Sequence, residues 1–137
     1  MSEPAASHPS AFRGIKAIDY TVVFVRDMGA MRHFYERILG FPLERELSPG
    51  WIEYRVGGNI LTLAQPSRVA GDPPTPRGSA SLQLAFKVEA PDVDRCAAEL
   101  VSHGVALLEP PTDQPFGHRT LFFRDPDGNL LEIFADI

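Results

Sequence analysis

Cysteine is almost absent from this chain. Cys96 is the only one in 137 residues, which excludes an intrachain disulfide and a zinc site built on several thiolates. Long hydrophobic runs are missing too, since no apolar stretch approaches the roughly 18 residues that span a bilayer. Positive charge is in deficit: 13 Lys and Arg face 18 Asp and Glu, for a net charge of -5. A nucleic-acid partner would need a basic face to neutralise phosphates, and none is apparent. There is no phosphate-cradling glycine loop, no nucleophile elbow and no CxxC pair. The opening segment MSEPAASHPSAFRG has neither an apolar h-region nor a basic n-region. Its Pro, Ser and Ala content predicts a mobile tail over residues 1–13, ahead of a single domain over 14–137. A soluble protein in a reducing cytoplasm is the expected setting.

What is present is 44% hydrophobic residue, enough for a real core, and a pattern that occurs twice. IDYTVVFV (18–25) is rich in β-branched and aromatic residues and predicts a strand. Asp27 then caps a helix in which Met31, Phe34, Tyr35 and Ile38 recur at helical spacing, and Gly40 ends it. Strands are predicted over Phe41–Leu47, Trp51–Val56 and Ile60–Gln65, separated by Ser48-Pro49-Gly50 and Gly57-Gly58-Asn59. A Pro- and Gly-rich stretch, 66–79, reads as an internal linker. The pattern then restarts: a strand SLQLAFKV (81–88), a helix through Val93, Cys96, Ala97 and Leu100 closed by Gly104, and strands near Val105–Glu109, His118–Arg124 and Leu130–Ala135. The clearest echo is GGNILTL (57–63) against DGNLLEI (127–133). Two βαβββ modules, about 15–65 and about 80–137, therefore fit the chain better than one continuous pattern.

Strand parity assigns faces. Leu84, Phe86 and Val88 form one side of their strand and should pack on the helix; Leu131 and Ile133 do the same on the last strand. Leu130, Glu132 and Phe134 then take the opposite side, as do Ile60, Thr62 and Ala64 in the first module. That side is apolar with a few polar insertions, the way ligand pockets are lined. On pattern alone, Glu132 in LFFRDPDGNLLEIF reads as a solvent-facing strand residue.

IDYTVVFVRDMGAMRHFYERILGF, LQLAFKV and GHRTLFFRDPDGNLLEI together resemble the vicinal-oxygen-chelate superfamily of glyoxalases, bleomycin-resistance proteins and extradiol dioxygenases. The resemblance covers about residues 15–136. It implies an α+β fold of two βαβββ modules, with curved mixed sheets around a cavity completed in a homodimer. In metal-dependent members, one divalent ion is held from four equivalent strand positions, two per module. Those positions correspond here to Tyr20, Thr62, Gln83 and Glu132, where the histidines usual on the opening strands have become Tyr and Gln.

The resemblance moves Glu132 to the cavity wall, as acceptor for a ligand or as the one candidate catalytic residue, a general base. Gln83 offers an amide to a ligand, or is an ordinary strand residue. Tyr20 offers a phenol or simply packs. His118 opens the strand that pairs with the one carrying Glu132, so it or Arg119 borders the same cavity; the plainer readings are a loop histidine and a surface salt bridge. Trp51 either closes the cavity mouth or packs at a subunit interface. Cys96 has core spacing and reads as a packed thiol. The expected function is binding of a small organic molecule in an apolar cavity with a degenerate metal site and no cofactor. The alternative is a glyoxalase-like lyase, an isomerase or epimerase, or a dioxygenase. It would use one divalent ion (Zn, Ni, Mn or Fe) held by Glu132 and Gln83.

Overall fold

The computed structural model describes residues 10–66, 72, 73, 75, 76 and 82–137. Within it the two halves fold as the same succession. The first is β1 (Tyr20–Phe24), α1 (Met28–His33), β2 (Leu43–Ser48), β3 (Trp51–Val56) and β4 (Asn59–Ala64). The second is β5 (Gln83–Lys87), α2 (Ala90–Ser102), β6 (Leu107–Asp113), β7 (His118–Arg124) and β8 (Leu130–Asp136). Each half makes a four-stranded mixed sheet, β1-β4-β3-β2 and β5-β8-β7-β6. This is the expected α+β pair of βαβββ modules.

The repeat extends to the residue. β1 runs parallel to β4 with Tyr20 opposite Ile60, and β5 runs parallel to β8 with Gln83 opposite Leu130. Thr62 and Glu132 therefore stand at the same place in their sheets, as the GGNILTL and DGNLLEI echo requires. The other pairs are antiparallel; β2 against β3 and β6 against β7 contain register shifts. β6 runs on through Pro110 and Pro111 to Asp113, beyond the expected end at Glu109. Those prolines sit on an outer strand, where a missing N–H leaves no central ladder broken.

Helix ends follow local chemistry. Asp27 Oδ1 accepts from Ala30 N at 3.1 Å at the start of α1. The expected helix to Ile38 is not α-helical throughout, because Phe34–Ile38 is a π turn. It brings Phe34 and Tyr35, adjacent in sequence, both into the core. Gly40 and Gly104 leave the two helices at φ of 69° and 78°, conformations that a Cβ disfavours.

One core draws on both helices and on the helix-covered faces of both sheets. Met31, Phe34 and Tyr35 meet Val93, Ala97 and Leu100, with Leu61, Leu63, Leu121, Phe123, Leu131 and Ile133 beneath them. Phe34 packs on Phe123 at 6.2 Å and Phe41 on Phe86 at 5.4 Å, so the modules share side chains. Cys96 packs against this core, and burial pushes its thiol pKa up, as suits a packed thiol.

A polar lock crosses between the modules as well. Asp125, only 4% exposed, accepts from Tyr35 Oη at 2.8 Å, from the amides of Asp127 and Asn129 at 3.0 Å each, and from Asn129 Nδ2 at 2.8 Å. Asp127 Oδ2 in turn accepts from the Arg26 amide at 2.7 Å. The DPDGN turn is thus a buried clamp on the first module.

The predicted tail falls largely on residues 1–9, outside the described residues. Ala11–Gly14 forms a 3-10 turn whose N-cap is Ser10. Most of the predicted linker 66–79 also lies outside the described residues.

Candidate functional site

The face of β5-β8-β7-β6 turned away from α2 carries a pocket of about 550 Å³. Its walls are aromatic: Phe116, Phe122 and Phe134, with Ala85 beside them. Its polar groups are Glu109, Gln114, His118, Thr120 and Glu132. Alternation explains the selection. His118, Thr120 and Phe122 are the even positions of β7, while Leu121 and Phe123 point into the core.

Glu132 lies on this face, half-buried, and Gln83 Nε2 donates to its Oε1 at 3.0 Å. His118 stacks on Phe134 at 4.7 Å and meets the edge of Phe116 at 5.4 Å. Its Nε2 lies 3.3 Å from Asp136 Oδ1 at the rim. Gln114 Nε2 donates both to Glu109 Oε1 and to Thr120 Oγ1, each at 3.1 Å. Asp136 also pairs with Lys87 at 2.8 Å, and that ammonium is the main reason its carboxyl sits below the usual range.

The structure therefore puts His118 and Glu132 on one pocket and Gln83 beside Glu132, outside that lining. Arg119, an odd position of β7, does not line the pocket. It faces the α2 side, donates to Asp113 at 2.7 Å and lies 4.0 Å from Asp94, which is the salt-bridge reading of this residue. Glu109, Gln114, Phe116, Thr120, Phe122 and Phe134 were not among the predicted site residues. Parity on β7 and β8 carries a signal for Thr120, Phe122 and Phe134. For Glu109 there is none, because its facing depends on a register shift that no sequence pattern prints.

Tyr20, Trp51 and Thr62 sit on the first sheet. The Tyr20 and Trp51 rings meet edge-on at 6.1 Å, and Trp51 Nε1 donates to Glu53 Oε2 at 2.7 Å. Thr62 is fully buried, and its Oγ1 has no hydrogen-bond partner among the described residues.

A profile of the Glyoxalase/Bleomycin resistance protein/Dioxygenase superfamily matches residues 17–133. The chain belongs to that superfamily. Among relatives, the uncharacterized protein YaeR of Escherichia coli K12 is 30% identical over 127 residues, covering 88% of this chain and 97% of that one. Virulence protein STM3117 of Salmonella typhimurium is 30% identical over 133 residues, covering 92% of this chain and 88% of that protein. The crystal structure of a glyoxalase/bleomycin resistance protein/dioxygenase from Nocardioides superposes with a TM-score of 0.78 at 23% identity, covering 90% of this chain and 85% of that one. That likeness is one of fold.

Members of the superfamily commonly bind a divalent metal. The four positions that the sequence resemblance assigns to it do not suit one in their chemistry. Tyr20 is a phenol, Thr62 a buried hydroxyl, Gln83 a neutral amide, and Glu132 alone is a carboxylate already hydrogen-bonded to Gln83. Among the described residues, no group of three or more His, Cys, Asp or Glu is placed to hold an ion.

Proposed function

We propose that this superfamily member is a cytoplasmic binding protein that holds a small organic molecule in the pocket over its second sheet, without a resident metal. The observation that carries the reading is the pocket itself. Three phenylalanines supply apolar area, and a few polar groups fixed by hydrogen bonds supply orientation, the usual composition of a small-molecule site. Glu132 serves as an acceptor for ligand hydroxyl or amine groups, and the Phe134–His118 stack forms a flat wall. The set Tyr20, Thr62, Gln83 and Glu132 supports binding over metal-assisted chemistry, since Glu132, its one carboxylate, has the Gln83 amide for a neighbour.

The proposal includes a homodimer. Tyr20 and Phe24 are 51% and 52% exposed on the first sheet, apolar surface that a second copy would cover. Sedimentation or light scattering measures this directly.

A thermal-shift screen of aromatic compounds and antibiotics tests the binding reading, because a ligand of the native state raises the melting point. At least one hit is expected, weakened by Glu132→Gln. Elemental analysis of protein purified without chelator or tag tests the rest. Zn, Ni, Mn or Fe near one per chain, lost in Glu132→Gln, would overturn the metal-free reading. It would establish the metal-dependent lyase, isomerase or dioxygenase in its place.

A further inference from the structure

The pocket has a directional charge. Sheet register puts Ala85 opposite Glu132, Glu132 opposite Phe122, and Phe122 opposite Glu109. Four neighbouring strands thus contribute one transverse row, and its side chains line the pocket. Phe122 lies between two carboxylates whose Cα atoms are two strand spacings apart, on the order of 10 Å. That gap accommodates a ligand head group over the aromatic ring.

Neither carboxylate is neutralised. Glu132 accepts from Gln83 and Glu109 from Gln114, and both donors are uncharged amides. Each pair satisfies one oxygen and leaves the charge in place. Neither second oxygen has a hydrogen-bond partner among the described residues. No Lys or Arg lines the pocket. Nearby, Lys87 pairs with Asp136 at 2.8 Å and Arg119 with Asp113 on the opposite face, while Arg124, past the end of the lining, donates to the carbonyl of Gly128 at 2.8 Å and keeps its charge. The net charge of -5 adds a long-range field of the same sign.

Resting on the reading of this pocket as a ligand site, we infer that its ligand is an organic cation, an amine or quaternary ammonium with an aromatic or apolar body. The charged head sits over Phe122 between Glu109 and Glu132, where ring face and carboxylates attract it together. The apolar body lies along Phe134 and Phe116. An anionic ligand of the same size meets two uncompensated carboxylates there and is rejected.

Three probes of similar shape separate the outcomes: benzyltrimethylammonium, benzyl alcohol and phenylacetate. Affinity and position are read together by titration of backbone amide resonances in the full chain. Benzyltrimethylammonium is expected to bind at least roughly tenfold more tightly than either other probe, shifting amides on β7 and β8. Rising salt should weaken it, and the double variant Glu109→Gln/Glu132→Gln should lose the preference while keeping its melting point. Equal or tighter binding of benzyl alcohol or phenylacetate in this pocket would overturn the cation inference and leave the ligand pocket standing. Binding of the cation that the double variant does not weaken would overturn it too. If none of the three shifts a pocket resonance at millimolar concentration, the inference falls together with the ligand-site reading.

Discussion

The two modules share a topology and a register, and yet they treat the same positions differently. Thr62 and Glu132 occupy equivalent places on β4 and β8, the inner strand of each parallel pair. In the first module that place is sealed, with the hydroxyl buried and without a hydrogen-bond partner among the described residues. In the second it opens onto a pocket and carries a carboxyl group. The hairpin turns differ as sharply. Gly57-Gly58-Asn59 is exposed, whereas its echo in the second module belongs to a loop clamped by buried Asp125. Among the described residues, the pocket of Glu132 belongs to the second copy, and that copy's turn also reaches across to the first.

The strongest way to break this comparison is Asp125→Ala. It removes four hydrogen bonds at a buried carboxylate and strands the Tyr35 hydroxyl, so about 3 kcal/mol or more of stability should be lost. Asn59→Ala in the exposed first-module turn should stay within about 0.5 kcal/mol, both measured by denaturant unfolding. Next comes the tyrosine pair. Tyr35→Phe should cost about 1.5–3 kcal/mol, since its acceptor is buried and charged. Tyr54→Phe loses a bond at 2.7 Å to the partly exposed Glu36, which water can replace, and should cost about 1 kcal/mol or less.

Thr62→Val sharpens the contrast between the equivalent positions. It deletes an unpartnered buried hydroxyl at nearly constant volume, and stability should hold or rise by about 1 kcal/mol. Glu132→Gln, half-exposed, should leave stability within about 0.5 kcal/mol while altering ligand binding.

The smallest effects concern pH, and here the modules have opposite signs. Burial pushes the Glu36 carboxyl up, but hydrogen bonds from Arg32 and Tyr54 outweigh it and its pKa is lowered. Its stabilising contribution is therefore present above the unfolded pKa and lost as pH falls through the folded one. Asp127 is raised, first by desolvation and then by the nearby Asp125, against the Arg26 amide. Its contribution is fullest below the unfolded pKa and declines as pH rises through the folded one. Unfolding free energies measured across the carboxylate range should show Glu36→Gln flattening the acid-side loss and Asp127→Asn steepening it.

Much of this was legible in the residues. Alternation alone put Leu131 and Ile133 inside and Glu132 outside, because a half-buried strand has no other way to satisfy both. The echo of GGNILTL in DGNLLEI located the equivalent strands, and Asp27, Gly40 and Gly104 marked helix ends through their caps. Four things were not legible. The π turn at Phe34–Ile38 preserves the apolar spacing of a helix, so periodicity cannot distinguish it. Pro110 and Pro111 read as a strand end, although an outer strand tolerates them. The facing of Glu109 comes from a register shift in β6, and with it the second carboxylate of the pocket. Asp125 looked like a turn residue, and only the approach of Tyr35 from the other module shows it as a clamp.

The outer strands β2 and β6 have one more consequence. β2 carries Glu44, Arg45 and Glu46 and slips register against β3; β6 contains two successive prolines with no N–H to offer. A stray extended peptide approaching β2 or β6 meets charge or a gap in the row of donors, so these two of the four sheet margins resist growing sideways into aggregates. The margin of β6, which borders the aromatic pocket, is thus a poor template for misassembly.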